Sequence, residues 1–274
     1  MEKEMLKFIG ETAGFIRDKV GEMPDLGIIL GTGLGDLVNH IKITKELDYK
    51  DIPNFPVSTV EGHSGKLIFG QLGDKYVMAM SGRFHYYEGY DMKQVTFPVR
   101  VMKALGVKTL FVSNAAGGMN KEFHVGDVMV ITDHINLFPE NPLRGRNYEE
   151  LGPRFPAMTE AYSERLISCA DSIASDCGMR LMHGVYVGTP GPTFETRAEY
   201  EYFRIIGGDA VGMSTVPEVI VANHAGMEVF GVSVITDLGG KDITEVPSHE
   251  EVQKAAVKAQ PVMTRLIKEL AAKV

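Results

Sequence analysis

The sequence predicts a single-domain α/β protein, residues 1–274, built on a central twisted mixed β-sheet flanked by helices. Two observations carry this reading. Short apolar runs alternate with helix-period patterns from end to end, the signature of a largely parallel or mixed sheet with helices on both faces. No internal repeat, low-complexity tract or Pro/Gly-rich stretch is long enough to divide the chain.

In chain order, Met5, Phe8, Ile9 and Ile16 recur at helical spacing with charges between them, which makes the N-terminal segment a surface helix and neither a signal peptide nor a membrane span. Strands are expected at Leu26 to Leu30, Tyr76 to Met80, Thr109 to Ser113, Asp127 to Thr132, Val185 to Thr189 and Val229 to Thr236. Helices are expected at Met92 to Leu105, Ala161 to Cys177, Thr196 to Ile206, Val216 to Ala225 and His249 to Lys273. The last carries an apolar stripe of Val252, Ala256, Ala259, Met263, Leu266 and Leu270.

Composition narrows the function classes. With 44% hydrophobic and 23% charged residues the chain can bury a sizeable core. A formal net charge of -8 opposes binding to nucleic acid or an anionic membrane, so an anionic ligand needs a local cluster of donors. Cys169 and Cys177 lie too far apart on one expected helix to bond, which fits a reducing, cytoplasmic compartment. No His, Cys and carboxylate spacing resembles a metal site, and there is no Gly-x-Ser-x-Gly elbow. Neither metal nor covalent-serine chemistry is expected.

The unusual residues follow the strands, all of which are expected to point their carboxyl ends one way and so build one site. Gly31-Thr32-Gly33-Leu34-Gly35 lets backbone N–H groups approach an anion, and serves equally as a plain tight turn. It lacks the third glycine of a dinucleotide fingerprint, because position 36 is Asp36, and it lacks the Lys of a P-loop. A nicotinamide oxidoreductase is therefore a remote reading. If the segment is extended, Arg83, His85 and Tyr87 project from one face: a bidentate cation, an imidazole donor and a phenol for a sugar. The alternative is a solvated loop with an Arg83–Glu88 ion pair.

Asn114-Ala115-Ala116-Gly117-Gly118 reads as an uncluttered turn that a flat ring or a phosphate can approach. Three capping boxes open helices: Thr196 with Glu199 behind Phe194-Glu195, Thr215 with Glu218 behind Ser214, and Ser248 with Glu251 around His249. Ser214 then stands at a helix N-terminus that favours anions. His249 faces the positive end of a helix dipole, which favours its neutral form, and it can equally be a surface histidine.

Taken in order, Gly31-Thr32-Gly33-Leu34-Gly35, Gly82-Arg83-Phe84-His85, Tyr87-Glu88-Gly89-Tyr90, Asn114-Ala115-Ala116-Gly117-Gly118, Arg154-Phe155-Pro156-Ala157-Met158, Gly191-Pro192-Thr193-Phe194-Glu195-Thr196 and Val211 to Glu218 resemble the trimeric class of purine nucleoside phosphorylases over nearly the whole chain. The resemblance implies a nucleoside phosphorylase-like fold. It also implies a pentosyltransferase that uses inorganic phosphate as co-substrate, with no cofactor or metal, to cleave purine ribo- or deoxyribonucleosides.

By the same resemblance Thr32, His63, Arg83, His85, Ala115 and Ser214 bind phosphate, and Tyr87, Met213 and His249 hold the ribose. Ala116, Phe194, Glu195, Val211 and Asp237 surround the base, with His85, Glu195 and Asp237 as the catalytic set. Phe155 reaches the site of an adjacent subunit, which implies a homotrimer.

One residue departs from the pattern. Members specific for 6-oxopurines carry Asn where this chain has Asp237, and Lys where it has Leu238, whereas methylthioadenosine phosphorylases carry Asp. Glu195 and His249 nevertheless match the nucleoside enzymes. Inosine, guanosine and adenosine are thus all candidate substrates. The rival readings are a methylthioadenosine phosphorylase and a non-catalytic purine-binding protein on the same fold.

Overall fold

The computed structural model describes residues 4–32, 35–57, 65–240 and 248–274. Six α-helices are present among them: α1 Glu4–Val20, α2 Met92–Leu105, α3 Glu164–Cys177, α4 Arg197–Ile205, α5 Val216–His224 and α6 His249–Ala271. The nine strands are β1 Leu26–Leu30, β2 Lys42–Asp48, β3 Lys66–Leu72, β4 Lys75–Ser81, β5 Thr109–Gly118, β6 Val128–Asn136, β7 Met182–Gly188, β8 Ala210–Gly212 and β9 Glu228–Leu238. All six expected strands and all six expected helices are present. Three strands were not expected: polar β2, β3, and β8, which is three residues long. None of the described helices is long and apolar enough to cross a membrane.

The strands form one mixed sheet in the order β2-β3-β4-β1-β5-β8-β7-β6-β9, and β9 returns to pair with β5. The five strands from β5 to β9 therefore close on themselves as a small barrel, and β2, β3, β4 and β1 extend from it as an open wing. Period two divides the side chains of β1 between two cores. Ile29 joins the layer of α1, α2 and α5, whereas Leu26, Ile28 and Leu30 join that of α3 and α6.

Closure of the barrel corrects the expectation that every strand end points one way. β7 and β8 are parallel to each other, but β8 is antiparallel to β5. One edge of β5 pairs with β1 over Thr109–Val112 and with β8 at Gly117 and Gly118, its other edge being taken by β9. The carboxyl ends of β1 and β8 thus approach each other head-on beside the middle of β5. Asn114 to Gly118 are not a turn but the second half of this strand.

Gly31 sits where β1 runs into β5. A Cβ there would lie 2.7 Å from both Asn114 Cα and Ser113 O, and backbone cannot yield as a flexible side chain can. Gly10, inside α1, has nothing within 4 Å of its would-be Cβ.

The loop before α3 is held from behind. Arg100 Nη1 donates to Leu151 O at 3.2 Å and lies 2.8 Å from His224 Nδ1, and the other ring nitrogen of His224 is 3.2 Å from Asn147 Oδ1. Burial pushes the Arg100 guanidinium down to about 10 and also lowers His224. A neutral His224 then accepts from Arg100 at Nδ1 and donates to Asn147 from Nε2. This clamp fixes the chain just ahead of Phe155.

Gly31→Ala should destabilise the protein by about 1–3 kcal/mol, the range for forcing extra volume into a packed site. Gly10→Ala should instead stabilise it by about 0.5–1 kcal/mol through helix entropy. Urea unfolding midpoints of the two variants against wild type check both signs.

Candidate active site

A cavity of about 550 Å³ opens where β1, β4, β5, β8 and β9 end or cross. A second cavity of similar size, about 520 Å³, lies against α1, α2 and the clamped loop, away from these strand ends. The residues with chemistry suited to a phosphate and a purine line the first.

Arg83 follows β4 and is 1% exposed. Its Nη1 donates to Ser214 Oγ at 2.6 Å and to Thr215 Oγ1 at 2.9 Å, and its Nη2 donates to Ser113 O at 2.7 Å. Its Nε lies 3.6 Å from Glu218 Oε1, so its ion pair is with Glu218 and not Glu88. One buried cation therefore ties the end of β4 to β5 and to the segment entering α5.

That segment keeps the expected capping box, with Glu218 accepting from the Thr215 N–H at 3.0 Å, and Thr215 Oγ1 also accepts from Arg83 and from Asn114 Nδ2, the latter at 2.9 Å. Thr215 has φ 69 and ψ -55, and Val216 N–H donates to Ser214 O at 2.7 Å, which makes a γ-turn of the strained, left-handed kind. The turn presents the Ser214 hydroxyl to the cavity at the start of α5.

His85 is extended, but the chain does not continue so, because a 3-10 turn spans Tyr86–Glu88 and ends on Gly89 at φ 93. The turn still brings His85 and Tyr87 together: their rings stack 4.7 Å apart at 17°. Glu88 Oε1 accepts the His85 N–H at 2.8 Å and lies 3.1 Å from His85 Nδ1. Burial lowers the His85 pKa, and the Glu88 hydrogen bond only partly opposes it. Tyr87 is pushed up to about 12, mainly by burial and then by Glu88.

At the opposite end stand two carboxyl groups. Glu195 accepts from Thr189 Oγ1 at 3.2 Å, and its pKa is raised mainly by burial and further by Asp237. Asp237, near the end of β9, is raised by burial, against hydrogen bonds from Thr236 and Tyr200. Phe194, Val211, Met213, Ala115 and Ala116 complete the walls, and Thr32 sits at the end of β1.

Residues 25–272 match the family model described as the phosphorylase superfamily. The chain is 53% identical over 260 residues to purine nucleoside phosphorylase 1 of Geobacillus stearothermophilus, covering 95% of each chain. It is 48% identical over 274 residues to the purine nucleoside phosphorylase of Bos taurus, covering 96% of this chain and 94% of that one. The chain belongs to the purine nucleoside phosphorylase family. A solved structure of the Schistosoma mansoni purine nucleoside phosphorylase, in complex with adenosine, matches with a TM-score of 0.93 at 42% identity over 97% of this chain and 96% of that one. Purine nucleoside phosphorylases are pentosyltransferases, and so is this chain.

Twelve of the residues that the family resemblance assigns to the site line this one cavity. His63 lies outside the described residues, as does the side chain of His249, although Val252, one turn further along α6, lines the wall. Phe155 is apart from the cavity and 87% exposed, its ring under the Arg154 guanidinium at 5.7 Å. Tyr200, Asn114 and Thr236 also line the cavity; Asn114 belongs to one of the motifs but carries no assigned role, whereas Tyr200 and Thr236 lie outside the motifs. Only the position of Tyr200, one helical turn past Thr196 and close to Glu195, hinted at it.

His85 should be neutral at pH 7, with a titration midpoint below the usual 6.5 or so of histidine. Glu88→Gln should lower that midpoint further, because it removes the acceptor that favours the imidazolium. Histidine ring resonances followed by NMR through the pH range check both.

Proposed function

We propose that the chain catalyses phosphate-dependent cleavage of purine nucleosides, giving the free purine and ribose or deoxyribose 1-phosphate. The observation that carries this reading is one cavity with a buried cation and hydroxyl donors at one end and two carboxyls of raised pKa at the other. Thr32, Arg83, His85, Ala115 and Ser214 would hold phosphate, with His63 beside them. Tyr87, Met213 and His249 would hold the ribose, and Ala116, Phe194, Glu195, Val211 and Asp237 the base.

The reaction needs no metal or cofactor to balance. A phosphate oxygen bonds to C1′ as the C1′–N9 bond breaks, and the bonding pair leaves with the purine. Protonated Asp237 delivers its proton to N7 and is later reprotonated from water. Bound phosphate offsets the positive charge that builds on the sugar, and Glu195 accepts from N1–H of a 6-oxopurine. Burial raises both carboxyls above their ordinary values, which favours the protonated form of each.

Asp237 bears on the base. Its neutral carboxyl has a donor for N7 and a second oxygen that can accept from a 6-amino group. We therefore assign inosine and guanosine as substrates, with adenosine cleaved as well; the adenosine complex of the Schistosoma relative is in keeping with this. We place the enzyme in the cytoplasm as a homotrimer. The exposed Phe155, on its clamped loop, is the residue that would cover the ribose of a neighbouring subunit.

Phosphorolysis of inosine, guanosine, adenosine and methylthioadenosine, measured side by side, tests the reading. Turnover that is greatest with methylthioadenosine, or purine release that does not depend on phosphate, would refute it. Arg83→Ala and His85→Ala should each raise the KM for phosphate and lower kcat, at a cost of roughly 1.5–3 kcal/mol per contact to a charged group. Steady-state kinetics with varied phosphate read this directly.

Sedimentation should show a trimer, and Phe155→Ala should raise the KM for nucleoside more than that for phosphate. A fully active monomer would refute the subunit assignment.

A further inference from the structure

The base end of the cavity holds a contact that the family motifs do not contain. Tyr200, from α4, is buried, and its hydroxyl donates to Asp237 Oδ2 at 3.4 Å. The other carboxyl oxygen, Oδ1, accepts from Thr236 Oγ1 at 2.9 Å. The Thr236 hydroxyl has a second acceptor in reach, Ala116 O at 3.3 Å. Its one hydrogen can thus leave Oδ1, whereas the Tyr200 hydroxyl reaches Asp237 through Oδ2, with Glu195 as its second carboxyl neighbour.

The surroundings leave room for this arrangement and little else. A Cβ on Gly239 would lie 2.1 to 2.3 Å from three atoms of the Tyr200 ring. A Cβ on Gly117 would lie 3.0 Å from Asp237 Oδ2 and 3.1 Å from the Tyr200 hydroxyl. Two glycines on neighbouring strand ends therefore clear the space in which phenol and carboxyl meet. Among the described residues, the titratable groups facing Asp237 are Tyr200 from α4 and Glu195 from the segment preceding it.

We propose that Tyr200 is a specificity-determining residue of the base site: by donating to Oδ2 it keeps that oxygen an acceptor for a 6-amino group and leaves Oδ1 to carry the proton for N7. This rests on reading the cavity as a purine site. A neutral carboxyl has one carbonyl-type oxygen with two free lone pairs and one hydroxyl oxygen. The carbonyl oxygen can accept from Tyr200 and from the exocyclic amine at once. When Oδ1 takes up the proton, Thr236 turns to Ala116 O. Without the phenol hydrogen the proton can sit on either oxygen, and on Oδ2 it would meet the 6-amino group donor to donor, while it would suit O6 of inosine.

The substitution Tyr200→Phe keeps the ring against Gly117 and Gly239 and removes only the hydroxyl. The kcat/KM values for adenosine and inosine, each measured across pH at fixed saturating phosphate, provide the test. The ratio of adenosine to inosine should fall about fivefold, the order expected for one net hydrogen bond. The high-pH limb for inosine should also move to higher pH, because a bond favouring the ionised carboxyl is lost. The KM for phosphate should stay as in wild type.

In an Asp237→Asn background, with no carboxyl proton to place, Tyr200→Phe should leave the limb where it is. An unchanged ratio and limb in an active Tyr200→Phe enzyme would overturn the assignment while leaving the proposed reaction standing. So would an equal limb shift in the Asp237→Asn background. A wild-type enzyme that releases no purine from either nucleoside would sink the functional reading first, and this assignment with it.

Discussion

A guanidinium that is 1% exposed depends on partners inside the protein, and Arg83 draws on separate elements for them. Its terminal N–H groups donate to Ser113 O on β5 and to the hydroxyls of Ser214 and Thr215, and its Nε faces the Glu218 carboxylate of α5 at 3.6 Å as an ion pair. Removing one member of a buried pair typically costs about 3–5 kcal/mol, because the other charge is left uncompensated. Arg83 is thus a structural tie before it is a ligand for anything. It also explains how the backbone at Thr215 stays in a left-handed turn, since the side chain of that residue is fixed by Arg83 and Asn114 together.

The tie is possible because of the way β5 is shared. Its first half carries β1 on one edge and its last residues carry β8 on the same edge. Between these stretches the edge faces the cavity, at residues that a continuous open sheet would have covered. A doubly wound sheet places its site beyond the strand ends. Here the closed barrel turns β7 and β8 back, so that segments leaving opposite ends of the sheet converge on the middle of one strand. Glu195, reached through β7, and Thr32, at the end of β1, share one cavity for this reason.

The sequence makes the apolar strands and the capped helices legible, and it does so through local signals. β1 and α2 have the expected bounds, since an unbroken apolar run and an Asp91 cap leave little ambiguity. Asn114 to Gly118 mislead because small residues and glycines signal a turn; pairing with β8 and β9 overrides that weak local preference. β2 alternates poorly and is largely exposed, and β8 is too short for any period to show. At the site, motifs locate the residues whose roles are tied to phosphate and sugar. Tyr200 escapes them, since a tyrosine near Phe203 on a helix reads as core, and only the fold reveals that its hydroxyl faces a carboxyl.

Burial acts with opposite sign at the two ends of the cavity. At the phosphate end it lowers His85, so that a neutral imidazole stands beside a permanently charged Arg83. At the base end it raises Glu195 and Asp237, which favours their protonated forms relative to carboxyls in solvent. On the proposed reaction, negative charge enters with phosphate at one end and develops on the leaving purine at the other. An imidazolium beside Arg83 would add like-charge repulsion in a dry site, and an ionised carboxylate at N7 would repel the departing base. Desolvation by the same walls works against both, and on the proposed assignment Tyr200 and Thr236 decide which oxygen of Asp237 takes up a proton.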